Sequence, residues 1–461
     1  MNYIQIFRGK KLLNKLYISI PSFIANILFS IYGIFKILEY KYIGKFYLPV
    51  LRSIENKSKK EIESIQEKKL RKILFHAHSN SPYYKEYINK SVIANFKVSD
   101  LPNLPLLCKD NLISYYSSII SKDYKNYKPV KQSTGGTTGT TANFLIDKKQ
   151  YFWKEAEVLL HWEHHGYHPG RERSIMYRAG VFFPKGSVIP KKPWRIDYAR
   201  KLLYLSSYYS SDKFYYQYYL KIKDWNPSFM HVLPSAGYLF ANFLIENNLK
   251  INLKTVFTAS EKLFPIQKIT LSKAFNCDVV DHYGHGEPGI YAAGQCEEGN
   301  YHICDSNTIV EELDDGSIVE TNLNNYSMPF IRYKVGDHIN GKSNNNCRCG
   351  LTTSFLTNID GRSSEILYTA DKRIISSIGF DQIFKDNNIR LGQIIQYNYD
   401  SLDINLIPNH EYNHTNASSI LYELQLRVGV ETVINLHIVD DIPLAENGKF
   451  RMVISNIQQG S

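Results

Sequence analysis

The chain has 461 residues, 43% hydrophobic and 21% charged, with a formal net charge of +11. That length is too great for one simple core and predicts two or three domains, in a composition that suits a soluble globular protein. No helix-turn-helix, finger or RNP signature accompanies the positive charge, so nucleic acid is not an expected partner.

The charge is uneven. Residues 1–50 hold seven Lys/Arg and one acid, Glu39. A basic, apolar N-terminus suits an anionic membrane surface. Residues 17–35, YISIPSFIANILFSIYGIF, carry no charge, and 19 residues are barely enough to cross a bilayer. Pro21, Asn26, Gly33 and three serines interrupt the stretch, and no small-residue cleavage site follows soon afterwards. It reads as an interfacial or core-docked helix rather than a span. Residues 56–75 have the spacing of a surface helix, and 103–110 form a Pro-punctuated loop.

Residues 133–141 read STGGTTGTT. Glycine lets a backbone fold back and approach a ligand, and the freed N–H groups and hydroxyls can cradle phosphate oxygens. A Gly-Lys-[Ser/Thr] ending is missing, so this is not a Walker loop. By itself the stretch is better explained as a surface turn.

Between about 150 and 290, short apolar runs alternate with amphipathic ones: SFMHVLP (228–234), LKTVFTA (253–259), CDVVDHYG (277–284). That alternation predicts βαβ units and buried parallel strands, with ligands bound at the strand ends. Residues 305–345 look rich in strands and turns, with a hairpin at DDGS (314–317), and a compact α+β region runs from about 362 to 461. The histidines of HWEHHGYHPG (161, 164, 165, 168) lack the H-E-x-x-H spacing of a metal helix and read as a helix end beside a pocket. Six cysteines stand at 108, 277, 296, 304, 347 and 349, without an evident disulfide framework. Cys296-x5-His302 with Cys347-x-Cys349 offers three thiolates and an imidazole, a closed tetrahedral zinc set; Cys304 could replace His302, and Cys108 and Cys277 read as buried thiols.

Five segments follow the glycine loop in order: TASEKL (258–263), DHYGHGE (281–287), FIRYKVGD (330–337), DGRSSE (360–365) and ENGKFR (446–451). With QEKKLRKILFHAHSNSPYY (66–84) and LPLLCKDNLI (104–113), the series resembles the adenylate-forming (ANL) superfamily, in its phenylacetate–CoA ligase-like, CapK-type branch. The resemblance covers nearly the whole chain. It implies a large multi-sheet α/β domain (1–361) and a small α+β lid (362–461). It also implies ATP and Mg2+ as cofactors, a structural Zn2+ on Cys296, His302, Cys347 and Cys349, and coenzyme A where the acceptor is a thiol.

The resemblance assigns roles residue by residue. Ser133, Thr134, Gly135, Gly136, Thr137, Thr138 and Gly139 stand where the family holds phosphate. Ser260 and Glu261 pass the adenine, Tyr283 packs on it beside Gly284, Asp337 binds the ribose, and Arg362 touches ribose or phosphate. Glu287 helps hold magnesium, and Lys449 swings in with the lid to bridge carboxylate and α-phosphate. His231, Ser235 and His285 match the acyl-pocket side. The family pattern Tyr-Gly-x-[Ser/Thr]-Glu is broken by Gly286, and Ser363 or Ser364 replaces the usual hinge acid.

The implied activity is ATP-dependent activation of a carboxylic acid, with acyl transfer to CoA or to an amine on a sugar, in surface polysaccharide biosynthesis. The expected place is the cytoplasm, with peripheral contact at the inner face of the membrane. The departures at Gly286 and Ser363 leave a second reading: a non-catalytic, nucleotide-binding, zinc-stapled assembly factor at the membrane.

Overall fold

The structure is a computed structural model. It describes residues 20–133, 142–178, 192–207, 209, 211–362, 366–368, 374–376, 380–429, 431–443 and 450–457. The long helices are α1 (Ser22–Phe46), α2 (Leu48–Glu55), α3 (Lys59–Asn80), α4 (Lys148–His164), α5 (Asp212–Trp225), α6 (Pro234–Glu246) and α7 (Pro265–Phe275), with α8 (His414–Val428) near the C-terminus.

The central sheet has ten strands. In chain order they are β1 (Ser174–Arg178), β2 (Trp194–Asp197), β3 (Leu202–Ser206), β4 (Phe229–Val232), β5 (Thr255–Ala259), β6 (Asp278–Tyr283), β7 (Ala293–Gln295) and β8 (Tyr301–His302). A second sheet intervenes with β9 (Thr308–Glu312), β10 (Ser317–Asn322) and β11 (Tyr333–Ile339). The chain then adds β12 (Lys342–Ser343) and β13 (Phe355–Leu356) to the first sheet and β14 (Ile359–Arg362) to the second.

In space the first sheet runs β12-β13-β8-β7-β6-β5-β4-β1-β3-β2. Its core, β3-β1-β4-β5-β6, is parallel. Every residue of β4 and β5 is buried. A strand covered on both faces must be apolar throughout, which is why FMHV and TVFTA lack the alternation of a half-exposed strand. Helices α5, α6 and α7 pack one face around Tyr218, Phe240 and Phe275. The other face takes Trp162 and Tyr167, at and just beyond the end of α4, against Phe229 and Phe257.

The second sheet is antiparallel, in the order β9-β10-β11-β14. Gly316 takes φ +77 in the β9–β10 turn, which explains the glycine of the expected DDGS hairpin. The stem of the glycine loop is a separate hairpin that pairs Ser133 with Asn143. Asp147 fixes that stem: its carboxylate accepts from the Tyr326 and Ser327 N–H groups at 2.6 and 2.9 Å. Asn325 donates in turn to the carbonyls of Leu145 and Met328. The loop's base is thus bonded to the segment that leads into β11.

The C-terminal part holds a four-stranded sheet, Val433–Ile438, Ser401–Pro408, Ile389–Gln396 and Val453–Ser455 in spatial order, covered by α8. Phe264 and Ile266, at the start of α7, join its apolar cluster.

Helix α1 closes the open edge of the central sheet. Edge strand β2 presents unpaired N–H groups, and side chains of α1 meet two N–H groups along this edge. Asn26 Oδ1 accepts from the Ile196 N–H at 3.0 Å, and Ser30 Oγ accepts from the Tyr198 N–H at 2.9 Å. Gly33 lies against Asp197, which is itself paired with Arg200 at 2.6 Å. A Cβ at Gly33 would stand 2.1 Å from Asp197 Oδ1. Gly33→Val is expected to destabilise the chain by about 1–3 kcal/mol through forced overpacking, read as a lower urea midpoint at unchanged slope.

Candidate functional site

The sequence-selected residues between 260 and 337 meet at the C-terminal ends of the parallel strands. Ala259 of β5 is in register with His282 of β6, so Ser260 and Tyr283 emerge side by side. Ser260 takes φ +74, a left-handed turn that ends the strand abruptly. Glu261 then turns back, and its Oε2 accepts from the Ser235 N–H at 2.9 Å. A carboxylate at that point caps the first turn of α6 and faces the positive end of its dipole. Glu261 and Ser235 are therefore joined directly.

His231 is 4% exposed, stacked on Phe257 at 4.9 Å and packed against Trp162 and Tyr167. Burial holds its pKa well below the usual histidine value, so it stands neutral inside an aromatic layer.

Tyr283, at the end of β6, donates to Asp337 Oδ2 at 2.7 Å across the gap between the two sheets. Asp337 lies on β11, 6% exposed, and its register partner is Arg362 of β14. The expected adenine-side aromatic, the ribose-side carboxylate and the Arg362 backbone thus share one corner.

His285 follows on the loop after β6. Its Nε2 lies 2.9 Å from Glu320 Oε2 and its Nδ1 3.4 Å from Glu287 Oε2. The His285 and Glu320 side chains are 4% and 0% exposed. Burial opposes charge on His285, but the Glu320 and Glu287 carboxylates outweigh it and push the imidazole up to about 10. Glu320 also accepts from the Ile290 N–H at 2.9 Å. Gly289 touches the same carboxylate so closely that a Cβ there would meet it at 1.6 Å. One buried acid therefore sets the curvature of residues 285–290 and the position of Glu287.

Two of these groups were not visible in the sequence reading. Glu320 is a lone acid in the buried strand SIVETN, and that misplacement was the available signal. Lys154 of α4 lies over the Tyr291 ring at 4.6 Å, within electrostatic reach of Glu287, and burial lowers its pKa. Nothing in the helical pattern KKQYFWKEAEVLL distinguishes it from its neighbours.

The second cluster lies beyond β7 and β8. The ligand atoms of Cys296, His302, Cys347 and Cys349 all fall within 4.8 Å of one another. Cys296 Sγ and Cys347 Sγ are 3.9 Å apart, and Cys349 Sγ is 3.3 Å from His302 Nε2. Zinc–sulfur bonds of ~2.3 Å in a tetrahedron put the sulfurs about 3.8 Å apart, so the set fits zinc. His302 Nδ1 lies 2.9 Å from Thr353 Oγ1, which orients the ring with Nε2 toward the thiols. Burial pushes this imidazole down to about 4, the neutral form a metal needs. Cys304 is not in the group; its Sγ sits 3.6 Å from Ser306 Oγ. Cys108 and Cys277 are half-buried rather than fully buried.

A cavity of about 1020 Å3 adjoins this cluster, lined among others by His161, His164, His165, Lys268 and Cys349. The histidine-rich helix end does border a pocket, as expected, but Glu287 and Asp337 do not line it. Thr134, Gly135, Gly136, Thr137, Thr138, Gly139 and Lys449 lie outside the described residues, as do the hinge candidates Ser363 and Ser364. Ser133, the first residue of STGGTTGTT, is described at the hairpin end, in register with Asn143.

Residues 367–456 match the family model "CapK C-terminal domain". Protein CapK of Staphylococcus aureus is 24% identical over 464 residues, covering 97% of this chain and 100% of that protein. The fold is similar to that of a 2-hydroxyisobutyryl-CoA ligase solved in the postadenylation state with R3-HIB-AMP: TM-score 0.67, 16% identity, 87% of this chain and 91% of that one. The chain is thus similar to CapK in sequence and to this CoA ligase in fold. The same ligase in an open conformation with 2-HIB-AMP and CoA overlays at TM-score 0.51, with 17% identity, 87% of this chain and 93% of that one.

Two outcomes are expected here. Glu320→Ala leaves a buried imidazolium without its partner, so it should lower the thermal midpoint, with Glu320→Gln intermediate. The purified chain should carry about one zinc by elemental analysis, and a strong chelator or Cys349→Ser should cost on the order of 5 °C or more in melting midpoint.

Proposed function

We propose that this CapK-like chain is an ATP-dependent, AMP-forming ligase. It joins a carboxylic acid to AMP and releases pyrophosphate. It then passes the acyl group to a thiol or an amine. The observation that carries the reading is the convergence of Tyr283, Glu287 and Asp337 at one corner of a sheet with the adenylate-forming fold.

The chemistry sets the requirements. A carboxylate oxygen attacks the α-phosphorus, so two anions must meet and negative charge grows on the phosphoryl oxygens. Asp337 suits two ribose hydroxyls, and the Tyr283 ring suits the adenine face. Glu287 would hold Mg2+, which supplies neutralising charge when bound; hard oxygen ligands fit it. Lys449 would bring an ammonium to the reacting oxygens when the lid closes, and a compact point charge on a flexible stem suits that task. The glycine loop, its stem fixed by Asp147, would wrap the β- and γ-phosphates.

The cysteine–histidine set would hold structural zinc, since four protein ligands leave no open position. ATP as cosubstrate puts the reaction in the cytoplasm. The similarity to Protein CapK supports a role in surface polysaccharide formation, where an amino sugar is an apt acceptor; coenzyme A is the other. The acceptor is decided by which of the two releases AMP from the charged enzyme.

The test is ATP–pyrophosphate exchange across a panel of carboxylic acids. One acid or a related group should support exchange, and Lys449→Ala should reduce it by at least ~100-fold, the scale of losing one charge-stabilising group. Nucleotide binding with no exchange for any acid, and no effect of Lys449→Ala, would overturn the ligase in favour of the non-catalytic assembly factor.

A further inference from the structure

Helix α1 has two faces of opposite character. One is committed to the body of the protein. Asn26, Ser30 and Gly33 engage the edge strand. Phe29 packs edge-on against Tyr204 at 4.8 Å, and the Arg200 guanidinium lies 5.8 Å from the Phe29 ring. Lys36 turns inward, with its Nζ 2.5 Å from Glu39 and 2.7 Å from the Tyr151 hydroxyl.

The opposite face is apolar and uncovered. Phe23, Ile27, Ile31, Ile34, Phe35 and Leu38 are each 48–66% exposed. Their spacing of three and four residues makes one continuous stripe along the helix. No charged residue interrupts residues 22–35, and over its most apolar window the helix is only 22% buried. Isolated exposed apolar side chains need no explanation, but a stripe of this length on one helix marks an interaction surface.

We infer that this face of α1 rests in the surface of an anionic lipid bilayer, with the helix lying in the membrane plane. Three observations favour lipid over a second copy of the chain. First, the stripe ends in aromatic rings and cations: Tyr42 and Phe46 are exposed, and Lys41 and Lys45 flank them. Lys148 adds a third cation, 5.9 Å from the Phe152 ring that packs on Tyr42. Aromatic rings and lysines at the end of an apolar surface match a headgroup layer. Second, the sequence before the helix adds Arg8, Lys10, Lys11 and Lys15 and no acid. Third, a net charge of +11 opposes face-to-face pairing of two copies and favours an acidic surface.

The geometry also decides between lying on a membrane and crossing it. A spanning helix must be free to leave the globular body. Here Asn26, Ser30 and Gly33 hold it to β2, and its departure would uncover that strand edge.

The inference does not depend on the proposed chemistry. The test is co-sedimentation of the full chain with vesicles of phosphatidylcholine, alone or mixed with phosphatidylglycerol. Binding is expected to be stronger to the mixed vesicles and to weaken with added salt. Phe35→Glu/Leu38→Glu should lower the bound fraction at least about tenfold with an unchanged melting midpoint, and Lys41→Glu/Lys45→Glu should abolish the preference for the anionic mixture. Wild-type chain that stays in the supernatant with both vesicle types would overturn the inference. So would a lipid-free dimer that Phe35→Glu/Leu38→Glu converts to monomer, since the stripe would then be a subunit interface.

Discussion

A buried imidazole held between two carboxylates organises the candidate site. His285 belongs to the loop after β6 of the central sheet, and Glu320 to the second sheet. Their contact at 2.9 Å, both side chains almost fully shielded from water, ties the sheets together beside the Tyr283–Asp337 pair. A buried carboxylate is costly unless paired and hydrogen-bonded. Glu320 meets both conditions at Oε2, which takes His285 and the Ile290 N–H together. The loop has little choice of path as a result, and Glu287 is presented from a fixed base. The neighbouring link, Tyr283 to Asp337, spans the same gap with a hydroxyl in place of a charge.

The central sheet supports that corner from below. The parallel strands β4 and β5 are buried on both faces, and with β6 they end at the same level. Their loops therefore open together, and the positive φ of Ser260 turns one of them sharply toward α6. The cysteine–histidine cluster lies further along the same sheet and joins the turn at 347–349 to β7 and β8. It braces the region before β14, whose backbone carries Arg362 beside Asp337.

The N-terminal helix solves a separate problem with the same economy of contacts. A ten-stranded open sheet leaves an edge that invites pairing with other chains, and α1 closes it with side-chain acceptors rather than another strand. Asn26, Ser30 and Gly33, which read in the sequence as interruptions of an apolar run, are the residues that fit the helix to β2 and Asp197.

Much was legible in the sequence because local patterns report local physics. Continuous apolar runs gave the parallel strands, DDGS gave the β9–β10 turn, and the sparse cysteines pointed to four residues whose side chains do converge; in each case the residue type alone limits what the backbone or a side chain can do. Tyr283, Glu287 and Asp337 were recognisable by motif. What no local pattern could supply was the partner of each. His285 depends on Glu320, 35 residues away on another sheet; Glu261 caps a helix 26 residues before it; and Cys304 rather than His302 stands apart from the thiol cluster. The sequence by itself determined which residues could bind charge, turn or bury. Only the tertiary structure decided which of them share a dielectric-shielded contact, and which face of an apolar helix is left to the outside, because pairing and burial are set by distance in space rather than along the chain.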